Sequence, residues 1–470
     1  MRSNKMEDGF KAINLPSCGL DIHKDIIEAT VIDAEGKQHY KTFDTMRNSL
    51  YALRDWILSK KCFAVLMEST GVYWIPIYEI LEEVNGMDVG LGNSSHMKNV
   101  PGRPKTDKED SRWIARLCMM GLILKNFVVG REFRGLREIT RYHKKLVQER
   151  ARILNRIEKL LQLNGFKLSS VISKIDGVSG LRFLKKLQTQ GFVTVQDVNQ
   201  LRAHNLCAKS EDIERAINGN LKLISRLLLG KMLSRLETLD KEIAEIYDLM
   251  VEHSKNHASA ISIIDSIPGL AELSAIYMIA EIGTDLSSFK SANHLTAWAG
   301  LAPKIKESAG KQKSSKTKKA NVYVKSILVE CAWGAVRTRN TRLSNWYWRN
   351  KNRLGEKTAI TAVARKLLVY IYAMLNSGEL YNDSLDVADT EIYKAQKLPS
   401  ARKTVEHHTN NSNAKKQCAN KTKSDLVNAL PAAQAYQNSP NIAASEATPR
   451  KRGRPRKKKD TDDLAANLTA

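Results

Sequence analysis

Short runs of β-branched and apolar residues predict strands near the beginning of the chain. Two runs, at residues 18–22 and 26–32, are separated by a tight connection, and a third run of buried-strand length occupies residues 63–67. From residue 107 onward the apolar residues recur every three or four positions, which is the spacing of a helix. The pattern therefore predicts a mixed α/β domain over residues 15–128.

Two longer periodic patterns occupy the middle of the chain. Apolar residues keep three- and four-residue steps over residues 136–160 and again over residues 232–250, although His143 and Arg150 interrupt the first pattern. The spacing predicts two arms of an antiparallel coiled-coil hairpin, or a dimerisation stalk. A simple helical bundle is an equally good interpretation, because a helix pattern does not name its partner. We assign residues 131–256 to a helical region with a smaller helical insertion between the arms.

A Pro-Gly turn precedes an apolar helix in the next part of the chain. Pro268 and Gly269 stand between two apolar segments, and the second segment, residues 275–280, continues as a helix. The arrangement resembles a helix-hairpin-helix, in which the turn exposes backbone N–H groups at a helix N-terminus to a DNA phosphate. An ordinary corner between two helices would give the same pattern. Residues 260–385 are assigned to a mainly α C-terminal domain.

The composition of the chain favours a polyanionic partner. The 470 residues carry a formal net charge of +25, and 42% hydrophobic content is sufficient for two or three domains with proper cores. The six cysteines are scattered, so neither a disulfide framework nor a structural zinc site is predicted. The longest apolar stretch, residues 359–375, is interrupted by Arg365 and Lys366, and no membrane span is expected. These features fit the cytoplasm.

Four acidic residues in this basic chain are candidate metal ligands: Asp21, Glu68, Asp107 and Asp110. The first two end predicted strands, and the last two are i,i+3 neighbours on one face of the predicted helix. Phosphoryl transfer between nucleic-acid strands commonly uses Mg²⁺ ions held by carboxylates, so the four residues are predicted to bind Mg²⁺. Each acid alone could instead be a turn or cap residue, and residues 106–109 fit a helix capping box.

A lysine-rich segment with a central serine completes a set of motifs that resembles a known family. The motifs lie in five blocks: Gly-Leu-Asp-Ile-His-Lys (19–24), Met-Glu-Ser-Thr-Gly-Val-Tyr-Trp (67–74), Lys-Thr-Asp-Lys-Glu-Asp-Ser-Arg-Trp-Ile-Ala (105–115), Trp-Ala-Gly-Leu-Ala-Pro (298–303) with Ser308 and Lys311, and Leu-Val-Glu-Cys-Ala-Trp (328–333). In this order they resemble the DEDD transposases of bacterial insertion sequences. This is the family numbered one hundred and ten in insertion-sequence nomenclature, whose members are bridge-RNA-guided serine recombinases. The resemblance extends from about residue 17 to about residue 385.

The resemblance implies both a fold and a chemistry. It implies a ribonuclease H-like N-terminal domain of the Holliday-junction-resolvase type, with Asp21, Glu68, Asp107 and Asp110 as Mg²⁺ ligands. It also implies that Ser308 attacks a DNA phosphodiester and holds the strand as a phosphoserine ester. In the family, metal and serine are understood to meet across subunits, which implies a homo-oligomer, either a dimer or a tetramer.

The lysines around Ser308 suit this role. A serine hydroxyl is a weak nucleophile until its pKa is lowered, and the charge that develops on phosphate needs cations such as Lys306, Lys311 and Lys313. The serines at 314–315 are rival nucleophiles. Most serines flanked by glycine and lysine are simply polar loop residues, so the role of Ser308 depends on the resemblance.

Three positions depart from the family's usual pattern. Pro104 is an extra residue in the third block and stiffens the loop before the helix, although the metal spacing within the helix is retained. Ser315 and Ala320 stand where the basic loop normally carries glycines, so a backbone conformation with positive φ is disfavoured there.

The last part of the chain has a different composition. Residues 390–470 are rich in Asn, Ala, Ser and Lys and are predicted to be disordered. Within them Arg452, Gly453, Arg454 and Pro455 form the core of a segment that resembles an AT-hook, which enters the minor groove of A·T-rich DNA. A solvated basic tail or a targeting signal is the alternative interpretation.

Three functions are compatible with these features. The first is a transposase that cuts and rejoins double-stranded DNA through Ser308 and Mg²⁺, with a guide RNA as a further partner and a cytoplasmic, nucleoid-associated location. The second is a Mg²⁺-dependent structure-specific endonuclease, similar to a junction resolvase, that uses water as nucleophile. The third is a non-catalytic DNA-binding protein. The acids argue against the third because a pure DNA binder would gain affinity by losing them, and the serine in its lysine setting favours the first.

Overall fold

The structure is a computed structural model that describes residues 13–68, 71–93, 97, 107–204, 206–303, 306–308, 311–314, 317 and 320–383. All of these residues fall within one unit, Met1–Val387. The predicted tail, residues 390–470, lies outside the described residues, and so do Pro104 and Ser315. The same holds for residues 452–455 of the AT-hook-like motif.

A mixed five-stranded sheet forms the N-terminal part of the protein. Its elements in chain order are β1 (Ser17–Ile22), β2 (Ile26–Ile32), β3 (Gln38–Asp44), α1 (Arg47–Ser59), β4 (Ala64–Glu68), α2 (Trp74–Glu82), β5 (Asp88–Gly92) and α3 (Asp107–Met120). The strand order is β3-β2-β1-β4-β5, with β4 parallel to β1 and β5, and β2 antiparallel to β1 and β3. The predicted strands at 18–22, 26–32 and 63–67 are confirmed, as is the helix predicted from residue 107.

The hydrophobic pattern does not predict the two edge strands. β3 is the first strand in the order of the sheet, and its residues are mostly polar and exposed. β5 contains Gly90 and Gly92, which lower the intrinsic preference for a strand. Both strands form because each pairs through backbone hydrogen bonds with its neighbour, β3 with β2 and β5 with β4. This pairing cannot be recognised from the sequences of β3 and β5 alone.

The side chains of β1 alternate between the two faces of the sheet. Cys18, Leu20 and Ile22 are buried in the core that β1 shares with α1 and α2. Gly19 lies against α3 on the opposite face, and Asp21 points to that same face because side chains two residues apart share a side of a strand. The sheet is therefore covered on both faces, and its acidic residue belongs to the α3 side.

Two long helices and an insertion form the middle of the chain. The elements are α4 (Arg131–Leu163), α5 (Val178–Gln190), α6 (Val195–Leu201), α7 (Ser210–Ile217) and α8 (Leu223–Ser254). α4 and α8 pack in antiparallel directions, since Tyr142 bonds Glu242 near one end and Ser225 bonds Asn164 near the other. The two predicted arms and the helical insertion between them are confirmed, whereas a coiled coil as such stays a prediction.

The two polar interruptions of the α4 pattern have specific partners. His143 is buried, and its Nδ1 lies 2.7 Å from the Tyr277 hydroxyl. Arg150 forms ion pairs with Asp176, at 2.7 Å, and with Asp240 of α8. Each polar residue is therefore satisfied by a hydrogen bond or ion pair that joins α4 to another part of the chain.

The C-terminal part is mainly helical. Its elements are α9 (Ala258–Asp265), α10 (Glu272–Ile282), α11 (Ala292–Trp298), β6 (Lys306–Ser308), β7 (Lys311–Ser314), α12 (Val322–Arg337), α13 (Arg342–Leu354) and α14 (Glu356–Ser377). A large apolar core joins these helices to the first turns of α4. The predicted mixed α/β domain followed by a mainly helical C-terminal region is confirmed.

The Pro-Gly turn between α9 and α10 packs closely against α12. Gly269 has a φ of +90°, and a Cβ at this position would lie 2.1 Å from the backbone nitrogen of Ala335. Only glycine allows both this backbone conformation and this approach. The packing accounts for the glycine as part of a corner between helices. A helix-hairpin-helix is not confirmed, and DNA contact by Pro268 and Gly269 stays a prediction.

One helix among the described residues, α14, is long and apolar enough to cross a membrane by length and composition. Its apolar residues, among them Ala359, Val363, Leu367 and Ile371, are fully buried in the C-terminal core. The helix packs against α12 and α13 within this core. Its apolar character is therefore explained by burial within the protein.

Candidate functional site

The site begins with an unusually close approach between α3 and β1. A Cβ at Gly19 would lie 2.1 Å from the backbone nitrogen of Ala115 and 2.4 Å from the carbonyl oxygen of Ser111. Such distances are incompatible with any side chain, so the helix backbone rests directly on the strand. Two hydroxyl contacts fix the same interface. Ser17 donates to the Ala115 carbonyl at 3.3 Å, and the hydroxyls of Thr30 and Ser111 lie 2.8 Å apart in the interior.

Three of the four predicted acids lie around this interface. Asp21 and Glu68 are only 6% and 7% exposed. They follow Leu20 and Met67, which are paired in the parallel register of β1 and β4, so the carboxylates project from adjoining strand ends. Asp110 lies on the first turn of α3, just before the helix meets Gly19. The fold therefore places Asp21 and Glu68 at the C-terminal ends of two inner strands, with Asp110 at the start of the helix that packs on them.

The pKa of Asp21 reflects both its burial and the charges around it. Burial raises the pKa of Asp21, and repulsion from the carboxylates of Asp110 and Glu68 raises it further. His23 opposes both effects through its charge and through a hydrogen bond of 3.2 Å between its Nε2 and Asp21 Oδ2. Negative charge is therefore costly at this position, and a bound cation would reduce that cost.

Glu28 is a further acid that the sequence analysis does not consider. It is the antiparallel partner of Asp21 on β2. The hydroxyls of Tyr40 and Thr42 on the neighbouring strand β3 both donate to its carboxylate, the second at 3.0 Å. Glu28 is thus held by hydrogen bonds to the edge strand β3.

The complete four-acid metal site stays a prediction. Over the part of the chain whose side chains are described, no group of three or more His, Cys, Asp or Glu residues is gathered closely enough to hold a metal ion. The Asp107 side chain lies outside that part, although its backbone begins α3 three residues before Asp110. The carboxylate chemistry and the mutual repulsion at Asp21 nevertheless suit a hard divalent cation.

The predicted nucleophile lies in a short antiparallel hairpin. Ser308 is the last residue of β6 and is paired in register with Lys311 of β7. Lys306 begins β6, and Lys313 lies in β7. Only the backbone of these residues is described, so the positions of their side chains stay predictions.

Comparison with known protein families identifies the family of the chain. Residues 18–164 match a DEDD transposase model described as "Transposase", and residues 261–348 match a model described as "Transposase IS116/IS110/IS902 family". Together the two matches cover half of the chain. The chain belongs to this family of insertion-sequence transposases. The first match contains Asp21, Glu68, Asp107 and Asp110, and the second contains Ser308.

Three curated relatives resemble the transposase, two of them over three quarters of their own length. A 42 kDa protein of insertion element IS900 from Mycobacterium paratuberculosis is 26% identical over 312 residues, which is 61% of this chain and 75% of the relative. A 44.8 kDa protein of insertion element IS116 from Streptomyces clavuligerus is 23% identical over 304 residues, or 62% of this chain and 75% of the relative. A probable family 20 transposase from Pseudomonas aeruginosa is 24% identical over 158 residues, or 33% of this chain and 46% of the relative.

In the transposase, a buried carboxylate binds the N-cap residue of α12, the helix that follows the hairpin of β6 and β7. We call this hairpin, which carries Ser308, the serine hairpin, and we call its connection to α12 the root of the hairpin. Glu281, which is 1% exposed, accepts two hydrogen bonds from Arg141 of α4, at 2.7 and 3.0 Å. It also accepts a hydrogen bond of 2.8 Å from Asn321. The Asn321 side chain caps α12 by accepting from the backbone nitrogens of Tyr323 and Val324. Glu281 therefore links α4 to Asn321, the N-cap of α12, which follows the segment that carries Ser308.

The sequence analysis does not identify Glu281, Gly19 or His23 as site residues. Glu281 lies at the end of an apolar helix and has no motif of its own, and its partners Arg141 and Asn321 are distant in sequence. The sequence offers one indication of the role of Glu281, which is that a charged residue lies within an apolar helix pattern. Such a residue is rarely buried without partners.

We expect Gly19→Ala to disrupt the α3–β1 interface. The added methyl group overlaps the α3 backbone, and the helix must move away, which should lower the free energy of unfolding by about 3 kcal/mol or more. Gly135→Ala is the matched control, since Gly135 lies in α4 with open space around its Cα. The control should be neutral or stabilising by up to about 1 kcal/mol. Urea unfolding compares the two, and equal stabilities would contradict the close approach.

Asp21→Asn should separate the cost of the buried charge from its use in metal binding. Because the pKa of Asp21 is raised in the folded state, stability falls as the pH rises from the unfolded pKa to the folded pKa, and the cost is fully present at neutral pH. In EDTA at pH 7 the variant should therefore be at least as stable as the wild type. With Mg²⁺ at ten times its Kd, the wild type should gain about 1.4 kcal/mol and the variant much less.

Thermal unfolding with and without Mg²⁺ measures both effects. Asp33→Asn is the control, since hydrogen bonds lower the pKa of Asp33 and it lies on the turn between β2 and β3. It should leave the gain from Mg²⁺ unchanged. An equal Mg²⁺ gain in wild type and Asp21→Asn would exclude Asp21 from the metal site.

Glu281→Gln should destabilise the transposase strongly. The substitution leaves Arg141 and the largely buried Arg137 without their carboxylate, and burial already lowers the pKa of Arg137 to about 10. We expect a loss of about 3 kcal/mol in the free energy of unfolding. Glu242→Gln, which removes the charge of an exposed acceptor for Tyr142, should cost less than about 1 kcal/mol. Similar losses for both variants would refute the anchoring role.

Proposed function

We propose that this transposase cuts and rejoins DNA at the ends of an insertion sequence and at its target. Asp21, Glu68, Asp107 and Asp110 hold Mg²⁺, and Ser308 is the nucleophile. The observation that carries the proposal is the pair of buried carboxylates on adjoining strand ends, with Asp110 near enough to raise the Asp21 pKa. The mixed sheet with helices on both faces supports a ribonuclease H-like domain of the junction-resolvase type.

The donor set suits Mg²⁺, a hard cation that prefers carboxylate and water oxygens. When bound, Mg²⁺ would polarise phosphate oxygens and lower the pKa of a nearby hydroxyl. His23 keeps one oxygen of Asp21 engaged by a hydrogen bond, which orients the carboxylate. The close contact between Gly19 and α3 holds the helix that carries Asp107 and Asp110 beside the strands.

The covalent step is a transesterification. The Ser308 hydroxyl loses its proton, its oxygen forms a bond to phosphorus, and the bond from phosphorus to one deoxyribose oxygen breaks. The departing oxygen takes up a proton and leaves as a hydroxyl group. Attack by a deoxyribose hydroxyl of another strand then restores a phosphodiester and frees Ser308, so rejoining needs no external energy source. A water nucleophile would instead leave free ends, as in the endonuclease alternative.

The lysines of the hairpin would stabilise the phosphate during this exchange. Lys311 is the cross-strand partner of Ser308, and Lys306 and Lys313 lie in the same two-stranded ribbon. Cations at these positions offset the negative charge that develops on the phosphate oxygens. Glu281 and Asn321 fix the start of α12, which limits the movement of the hairpin root.

DNA is the partner on which transposases act. We propose in addition that a guide RNA selects the sites, that the transposase works as a dimer or tetramer, and that it acts at the bacterial nucleoid in the cytoplasm. Pro268 and Gly269 are proposed as a phosphate contact. Residues 452–455 are proposed as a minor-groove contact with A·T-rich DNA.

The covalent intermediate tests the serine mechanism. When the reaction of the wild type with DNA carrying element ends is stopped with denaturant, DNA should remain attached to the protein, because a phosphoserine ester survives unfolding. Ser308→Ala should abolish the adduct. Ser314→Ala should still form it, and peptide mapping should place the DNA on Ser308.

Asp21→Ala should also abolish the adduct, since an unactivated hydroxyl near its free pKa reacts too slowly. Electrophoresis of radiolabelled DNA after denaturation measures the covalent fraction. Free nicked ends from the wild type, together with undiminished cutting by Ser308→Ala, would favour the endonuclease alternative and remove Ser308 from the mechanism.

A further inference from the structure

A groove lined by cations runs along α4 at its junction with α12. It has a volume of about 520 Å³. Its α4 side is formed by Lys144, Lys145, Gln148, Glu149 and Arg152, and its α12 side by Val322, Tyr323 and Ser326. A second cavity of about 190 Å³ shares Glu149 and Arg152 with the first and adds Arg156 and Arg235. The two cavities form one continuous surface, which we call the α4 groove.

The charge of the α4 groove is strongly unbalanced. Its lining contains five cations, Lys144, Lys145, Arg152, Arg156 and Arg235, and a single acid, Glu149. That acid lies 3.8 Å from Arg235. Within the described parts of the chain, Lys145, Arg152 and Arg156 form no ion pair, and all three are exposed. The groove thus carries positive charge that the protein itself does not neutralise.

On the opposite side of α4, positive charge is neutralised within the protein. There Arg150 is neutralised by Asp176 and Asp240. The positive charge of the α4 groove is therefore not a general property of a basic chain. It is concentrated on one side of α4, which is the pattern of a binding surface for a polyanion.

Lys144 marks the end of the groove nearest the serine hairpin. Its ammonium donates to the Ser326 hydroxyl on α12, and burial lowers its pKa, with Glu330 and Glu281 acting in the opposite direction. α12 begins directly after the segment that carries Ser308, and Lys325 of α12 holds Thr317 of that segment by a hydrogen bond of 2.7 Å. A strand lying in the groove would thus pass the root of the hairpin.

We propose that the α4 groove binds the phosphate backbone of substrate DNA and leads it to the hairpin that carries Ser308. The cations from Lys144 to Arg156 span twelve residues of helix, or about 18 Å, which corresponds to about five nucleotide steps along one strand of a duplex. Exposed lysine and arginine side chains in such a row bind phosphates without reading sequence. The proposal rests on the proposed function only in taking DNA as the substrate.

Direct binding measurements test the groove without catalysis. The test protein is full-length Ser308→Ala in EDTA, and the probes are a fluorescent DNA duplex and an RNA duplex of the same sequence. Combining Lys145→Gln, Arg152→Gln and Arg156→Gln should weaken DNA binding on the order of 100-fold at about 0.1 M salt. The slope of log Kd against log salt should fall by about 2 to 3.

The matched control removes three cations from the helical insertion instead. Lys174→Gln, Lys209→Gln and Lys222→Gln change the net charge equally, and all three residues are exposed. This control should change the DNA affinity by less than about fivefold and the salt slope by less than about 1. Circular dichroism should show unchanged folding for both triple variants, since the substituted side chains lie on the surface.

Two outcomes would overturn the proposal. Equal losses of DNA affinity in the groove variant and the control would mean that the groove has no role beyond net charge. Loss of RNA affinity with DNA affinity retained would assign the groove to RNA. Because this assay involves no chemistry, its failure leaves the covalent adduct of Ser308 untouched. Conversely, absence of that adduct would leave the groove measurement valid.

Discussion

The direct contact between α3 and β1 at Gly19 is the constraint on which the candidate site depends. A side chain at this position would overlap the backbone of α3, so glycine alone allows the helix to rest on the strand. Asp21 lies two residues after Gly19 on the same face of β1, and Asp110 lies one residue before Ser111 at the contact. Their proximity is therefore set by backbone packing, which is more rigid than any arrangement of long side chains.

The site places negative charge in a protein whose overall charge is strongly positive. A net charge of +25 attracts DNA from all directions but cannot catalyse its cleavage. The buried carboxylates of Asp21 and Glu68 oppose that attraction locally, and repulsion from Glu68 helps to raise the pKa of Asp21. A divalent cation would reverse the local sign, so that the phosphate of the substrate is attracted to the same point as the rest of the DNA.

Much of this organisation could be predicted from local patterns, and the remainder depends on contacts between distant residues. The apolar runs of β1, β2 and β4 and the helical spacing from residue 107 are local, and they are sufficient to predict these strands and α3. The contact of Gly19 with Ser111 and that of Glu281 with Arg141 involve residues about 90 and 140 positions apart. No helical or strand periodicity extends that far, so these features require the fold.

The long helix α4 connects the root of the Ser308 hairpin with the α4 groove. Its first turns belong to the C-terminal core through Phe133 and Leu136, and Arg141 one turn later binds Glu281, whose other partner is Asn321. The next turns carry the α4 groove. A single rigid element thus holds both the root of the Ser308 hairpin and a row of cations. Because the helix cannot bend over so short a distance without cost, a strand bound along the groove would have a defined direction relative to the hairpin. Cations that only increase solubility would not have to be aligned with the hairpin.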